Sequence, residues 1–216
     1  MAQTQEGKKM NKETKLSILS ALFVAGVVAS NLMGGKIADF SLFYASVGLL
    51  VFPVSMLALD IVQEVEGKEK AKRIVFGTLV AMVFILVMTA IAVALPSAPR
   101  DFFPVEYGKI FGVSLRIMVA SILAFLTAEL VDIHVFRIVK ELTKGKMLWL
   151  RTNVSTLISE FIDTTIFMMV AFYGVSPKHD VLFVIGLIIP WWLLKVGYAV
   201  VGTPLVYAGS AWLRKD

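Results

Sequence analysis

The feature that most limits what this chain can become is its set of long apolar stretches. Two of them, Leu16–Gly35 and Ile74–Pro99, contain no charged residue at all. A bilayer's hydrocarbon core is about 30 Å thick, and a helix crosses it with about 20 predominantly apolar residues. Phe40–Leu59 is also uncharged and is expected to continue as helix past Asp60 and Glu64. Three more stretches reach spanning length once charges are admitted inside them. These are Ser114–Val139 with Arg116, Glu129 and Asp132; Leu148–Tyr173 with Arg151, Glu160 and Asp163; and Val181–Tyr207 with Lys195. The expected fold class is all-α, a polytopic membrane protein of six transmembrane helices. Residues 1–15 and 209–216 are expected to be tails flanking a membrane domain over 16–208. The first apolar run is too long for a signal-peptide core, and no small-x-small cleavage site follows it, so it is expected to be retained.

Composition agrees. Of 216 residues, 58% are hydrophobic and only 17% are charged, whereas soluble domains carry roughly a quarter. Cysteine is absent, which excludes disulfides, thiolate zinc sites and cysteine nucleophiles. The two histidines are far apart and leave little scope for a metal cage. No cofactor is expected. The net charge of +5 falls in short loops, which speaks against a nucleic-acid surface and for a membrane topology signal. Lys8, Lys9, Lys12 and Lys15 precede the first span, and Lys68, Lys70, Lys72 and Arg73 separate the second from the third. Arg137, Lys140, Lys144, Lys146 and Arg151 flank the loop between the fourth and fifth, and Arg214 and Lys215 end the chain. The alternate loops hold only Lys36, Arg100, Lys109 and Lys178. Six spans with both termini cytoplasmic, in the cell membrane, put the basic majority on one side. The longest connection is expected at Ser97–Val113, where Phe102-Phe103-Pro104 suggests a segment lying on the bilayer surface.

Charges inside spans are expensive, about 2.5–3.5 kcal/mol each on insertion scales. Eight fall in or near these helices: Asp60, Glu64, Arg116, Glu129, Asp132, Glu160, Asp163 and Lys195. Asp60/Glu64 are four apart, and Glu129/Asp132 and Glu160/Asp163 three apart, so each pair shares a helix face. Ala120, Ala124, Ala128 and Asp132 form a stripe that allows close helix approach. Glu160 and Lys195 lie about 18 Å and about 21 Å along their helices, well inside the bilayer. Asp60 and Glu64 either belong to a site or form an interfacial salt-bridge cluster with Lys68–Arg73. Asp163 and Lys195 either serve a ligand or join two helices as an ion pair. Arg116 either lines the site or snorkels to the interface. His134 reads as a packing residue. Six carboxylates against two cations mean that some carboxyls stay protonated, or pair with loop cations, or meet donors or positive charge on the solute. A polar solute rich in N–H donors fits this lining better than an anion, because a carboxylate accepts two parallel hydrogen bonds from adjacent ring N–H groups.

Asn31 stands just before Gly34-Gly35, where the backbone can break or approach a ligand. Pro204, after Thr203, lacks an N–H and is expected to kink the last span. Trp191 and Trp192 suit either a belt anchor or stacking on a planar solute. There is no GxxxxGK[ST] loop, HExxH or GxSxG, so ATP hydrolysis by a P-loop is not expected.

Several motifs resemble one family. Phe52-Pro53, Asp60, Glu64-Val65-Glu66-Gly67 and Ala71-Lys72-Arg73 are similar to the P…D…E-x-x-G…A-R-R signature of the queuosine precursor transporter family, also called the vitamin uptake transporters. Ser30-Asn31, Leu115-Arg116-Ile117, Ala120-Ser121 and Leu130-Val131-Asp132-Ile133-His134-Val135-Phe136 follow the same pattern. So do Leu148-Trp149-Leu150-Arg151, Ser155-Thr156, Asp163-Thr164, Lys195-Val196 and Thr203-Pro204. The similarity runs from about residue 16 to 208. It implies six helices and uptake of 7-deazaguanines, precursors of a modified tRNA nucleoside. Glu129 and Glu160 depart from the pattern, since Gln or Asn is common there. Extra acid at those positions implies a more cationic ligand, such as an aminomethyl rather than a cyano deazaguanine, or a proton-coupling carboxyl.

Three readings follow. The first is a transporter for a small-molecule substrate, lined by Asn31, Asp60, Glu64, Arg116, Glu129, Asp132, Glu160, Asp163 and Lys195, with protons as a coupling ion. The second is a vitamin or nucleobase capture subunit that needs a separate ATPase. The third, an intramembrane enzyme built on Glu160/Asp163, lacks any nucleophile–base or metal constellation. The small-residue stripes allow a homodimer without demanding one.

Overall fold

The computed structural model describes residues 10–39, 44–144 and 147–215. Six helices occur in this order: α1 (Lys12–Met33), α2 (Gly48–Glu66), α3 (Lys68–Ala94), α4 (Pro104–Leu142), α5 (Leu148–Phe172) and α6 (Val181–Arg214). Between α1 and α2 lie two short strands, β1 (Ile37–Asp39) and β2 (Tyr44–Ser46). Among the described residues, five helical stretches are long and apolar enough to cross a membrane: Lys12–Met33, Lys68–Ala94, Pro104–Leu142, Asn153–Phe172 and Val181–Arg214. Their outer faces are apolar: Phe76, Phe84, Leu130 and Leu182 are 64–79% exposed. In water, apolar surface on this scale would aggregate; in lipid it faces its own kind.

Local chemistry accounts for the helix ends. Asn11 caps α1, its Oδ1 accepting from Thr14 N at 2.8 Å and so satisfying one orphan N–H of the first turn. α2 and α3 are separated by Gly67 alone, whose φ of 84° is the left-handed geometry that glycine adopts without a Cβ penalty. Its N–H closes α2 onto Gln63 O at 3.0 Å.

Two expectations are corrected here. Phe40–Leu59 is not a continuous helix, because Tyr44–Ser46 pairs antiparallel with Ile37–Asp39, in register Ile37↔Ser46 and Asp39↔Tyr44. Residues 40–43 lie outside the described residues. An uncharged run does not by itself tell strand from helix, and aromatic and β-branched side chains there suit a strand. Ser46 then ties the hairpin down, donating to Gly34 O at 2.7 Å and accepting from Gly48 N at 3.1 Å. Second, the fourth helix starts at Pro104 rather than Ser114, taking in the second half of the connection expected over Ser97–Val113. Proline at the first helical position is pre-organised for the turn and lacks only an N–H that would be orphaned there. α4 thereby reaches 39 residues, about 58 Å at 1.5 Å per residue, longer than a hydrocarbon core. α6 likewise runs through Pro204 to Arg214.

The chain forms two compact units. One takes residues up to Val83 together with Ala199–Asp216, and the other takes Phe84–Tyr198. In the first, α1 packs on α2 around Leu19, Phe23, Ala58, Ile61, Val62 and Leu213. The helices approach so closely that a Cβ on Gly26 would stand 2.0 Å from Ser55 Oγ. Lys15, only 5% exposed, donates to Trp212 O at 3.0 Å and to Lys215 O. An ammonium at the C-terminal carbonyls of α6 is favoured by the helix dipole. In the second unit, α4 packs on α5 through Ile117, Ala120 and Ala171. Met168, Val184 and Ile188 join α5 to the first half of α6.

Candidate functional site: a carboxylate–ammonium cluster on α5 and α6

The acidic face of α5 meets the one lysine inside α6. Lys195 Nζ lies 2.5 Å from Asp163 Oδ2 and 3.2 Å from Glu160 Oε2. The three-residue spacing of the two carboxylates lets a single ammonium bridge both. The side chains are 17% (Lys195), 25% (Asp163) and 42% (Glu160) exposed. Asp163 is therefore the tightly held partner, and Glu160 keeps free surface. Thr164, fully buried on the same helix, turns its hydroxyl back to Glu160 O at 2.8 Å and leaves the carboxylates unobstructed.

Two aromatic residues flank the cluster. Phe161 and Trp192 meet edge to face, with centroids 5.7 Å apart and planes at 86°. Among the described residues, Trp192 Nε1 is buried without a hydrogen-bond partner. Trp191 instead packs into the Met168–Val184–Ile188 cluster.

The rest of the acidic set is distributed differently. Arg116 Nε donates to Val170 O at 2.7 Å, and its Nη2 donates to Tyr173 O. The guanidinium thus satisfies carbonyls left over at the C-terminal end of α5. Glu129 and Asp132 follow Arg116 on α4, thirteen and sixteen residues along. Ala120 and Ala124, from the same stripe, are buried.

In the unit that holds α1 and α2, Asn31 is 5% exposed. Its Nδ2 donates to Val27 O at 2.8 Å, and its Oδ1 is buried without a partner. Asp60 has no hydrogen bond or ion pair among the described residues. Glu64 takes Arg214 as its cation, at 3.4 Å, and Glu66 takes Lys12 at 2.6 Å. The cation on Glu64 thus comes from the far end of the chain, not from Lys68–Arg73 as the sequence suggested. Sequence reasoning also missed Lys15. It has the spacing of any basic residue at a membrane edge, and nothing local shows that it reaches the last turn of α6. The buried hydroxyls of Ser155 and Ser159 on α5 were legible as a four-residue repeat beside the acidic face.

Long apolar spans carrying a carboxylate–ammonium cluster fit a multi-pass membrane transporter. Over residues 46–209 the chain belongs to the family described as "Putative vitamin uptake transporter". A "Probable queuosine precursor transporter" of Bacillus subtilis is 28% identical over 193 residues, covering 88% of this chain and 82% of that protein. Another protein of that description, from Haemophilus influenzae, is 30% identical over 64% of this chain and 56% of its own length. The "Queuosine precursor transporter" of Escherichia coli is 28% identical over 61% and 57%. No solved structure matches the chain.

Proposed function

We propose that this protein imports a queuosine precursor, a 7-deazaguanine base, across the cell membrane. The observation that carries the reading is the Glu160–Lys195–Asp163 cluster. A deazaguanine presents adjacent ring and exocyclic N–H groups, which a carboxylate accepts as two parallel hydrogen bonds. Glu160, the more exposed acid with the longer contact to Lys195, is the acceptor of choice, while Asp163 holds Lys195 in place. The relatives' names point to the same substrate class. α2 completes a set of six spans, and the distribution of lysine and arginine supports cytoplasmic placement of both termini.

Thermal stabilisation of the purified protein tests the substrate. The ligands are cyano- and aminomethyl-deazaguanine, queuine, guanine and several vitamins, each repeated on Asp163→Asn at fixed pH. A ligand at 100 times its Kd adds about 2.7 kcal/mol to the folded state, so a clear rise in melting temperature is expected for a deazaguanine and not for the variant. A rise with a vitamin alone would overturn the substrate. Protons are the proposed coupling ion. Uptake into liposomes by the protein alone, without nucleotide, is expected to rise with an inward proton gradient and fall when the gradient is collapsed. Indifference to the gradient would remove the proton from the mechanism.

A further inference from the structure

Trp191 and Trp192 are neighbours with different surroundings. Trp191 packs into an apolar cluster. Trp192 leaves its Nε1–H covered by protein and without an acceptor. A belt tryptophan turns its N–H to interfacial water, and this N–H is shut away from any. A residue needed only to pack on Phe161 would do so as phenylalanine, with no polar atom to bury. Buried donors are nearly always satisfied, and one that is not calls for an explanation. Position supplies one: Trp192 lies one helical turn before Lys195, so the two share a face of α6. Its ring rests on Phe161, the residue after Glu160.

We infer that Trp192 is a specificity-determining residue, whose Nε1–H donates to the ring carbonyl of the bound base. The inference rests on the deazaguanine reading above and deepens it. A guanine-type edge presents two N–H donors followed by a carbonyl acceptor. The α5 carboxylates accept the first two and Trp192 supplies the third hydrogen bond. The base displaces the edge of Phe161 as it settles beside Glu160, and the indole gains the acceptor it lacks. A base with a thiocarbonyl in that place keeps both N–H donors but offers the indole only a weak acceptor. One with an amino group there opposes two donors and loses the ring N–H as well. Sites built to hydrogen-bond a group reject analogues that lack it more strongly than apolar pockets reject a misfit.

The test compares the Kd of 7-deazaguanine with that of 6-thio-7-deazaguanine, which keeps both N–H donors and replaces the carbonyl oxygen with weakly accepting sulfur, on wild type and on Trp192→Phe. Wild type is expected to prefer 7-deazaguanine by about tenfold, the scale of one net hydrogen bond. Trp192→Phe is expected to bind both probes alike, with the weaker wild-type affinity. Trp192→Tyr, which keeps an aromatic ring with a donor at its tip, is expected to retain part of the preference and stands in if the phenylalanine variant does not fold. Equal binding of both probes by wild type overturns the inference, as does an undiminished preference in Trp192→Phe. If deazaguanines stabilise wild type and Asp163→Asn abolishes this, either of those results removes Trp192's role alone. If wild type binds neither probe, the importer reading and the inference fall together.

Discussion

Lys195→Ala is expected to melt about 10 °C below wild type in detergent and to take up no substrate. The substitution leaves Glu160 and Asp163 three residues apart on one helix face, with the ammonium that bridged them gone. Breaking a buried pair by removing one partner costs about 3–5 kcal/mol, because the remaining charge stays uncompensated. Glu160 is 42% exposed and recovers part of its solvation, which places the expected loss near the lower bound, about 3 kcal/mol. For a chain of this length each kcal/mol moves the melting temperature by about 2–4 °C. The decisive comparison is the double variant Lys195→Ala/Asp163→Asn, measured by the same melting curve. Removing the second charge is expected to restore most of the lost stability, since a neutral amide no longer needs a counter-ion. It is not expected to restore uptake. If the single variant melts like wild type, the cluster does not join α5 to α6.

Gly26→Val is the second large effect. A Cβ at position 26 would stand 2.0 Å from Ser55 Oγ and 3.2 Å from Ser55 Cβ, and valine adds two methyl groups beyond it. Ser55 is fully buried and donates to Val51 O at 3.4 Å, so it has little room to yield. α1 and α2 must separate or the side chains must leave their rotamers, an overpacking cost of about 1–3 kcal/mol. Lost contact around Phe23 and Ala58 adds to that cost. The expected result is a fall of about 5–10 °C and poor recovery of folded protein on size exclusion. Ser55→Gly in the same chain is expected to return most of the loss, because it vacates the volume that valine takes. A double variant no better than the single one would show that the contact between these helices is not what the substitution breaks.

Much of this molecule was legible before any coordinates. Apolar run length and charge count are properties of the chain that no partner can alter. Leu16–Gly35 and Ile74–Pro99 therefore read correctly as membrane helices, with ends that moved by several residues. The hairpin between α1 and α2 was not legible. The pairing of Ile37 with Ser46 is a contact between segments nine residues apart, which hydropathy does not carry.

The candidate site divides the same way. Spacing along a helix determined that Glu160 and Asp163 share a face, and the cost of a charge in hydrocarbon determined that the face must meet a partner. Only tertiary structure decided which partner. Lys195 bridges both acids from 32 and 35 residues away. Arg116 turns to the carbonyls that end α5, and Lys15 closes on the last turn of α6, about 200 residues along the chain. A helix's periodicity fixes the angle at which a side chain leaves its axis. Which neighbour waits at that angle depends on how helix faces pack, a choice spread over the whole bundle and written in no single segment.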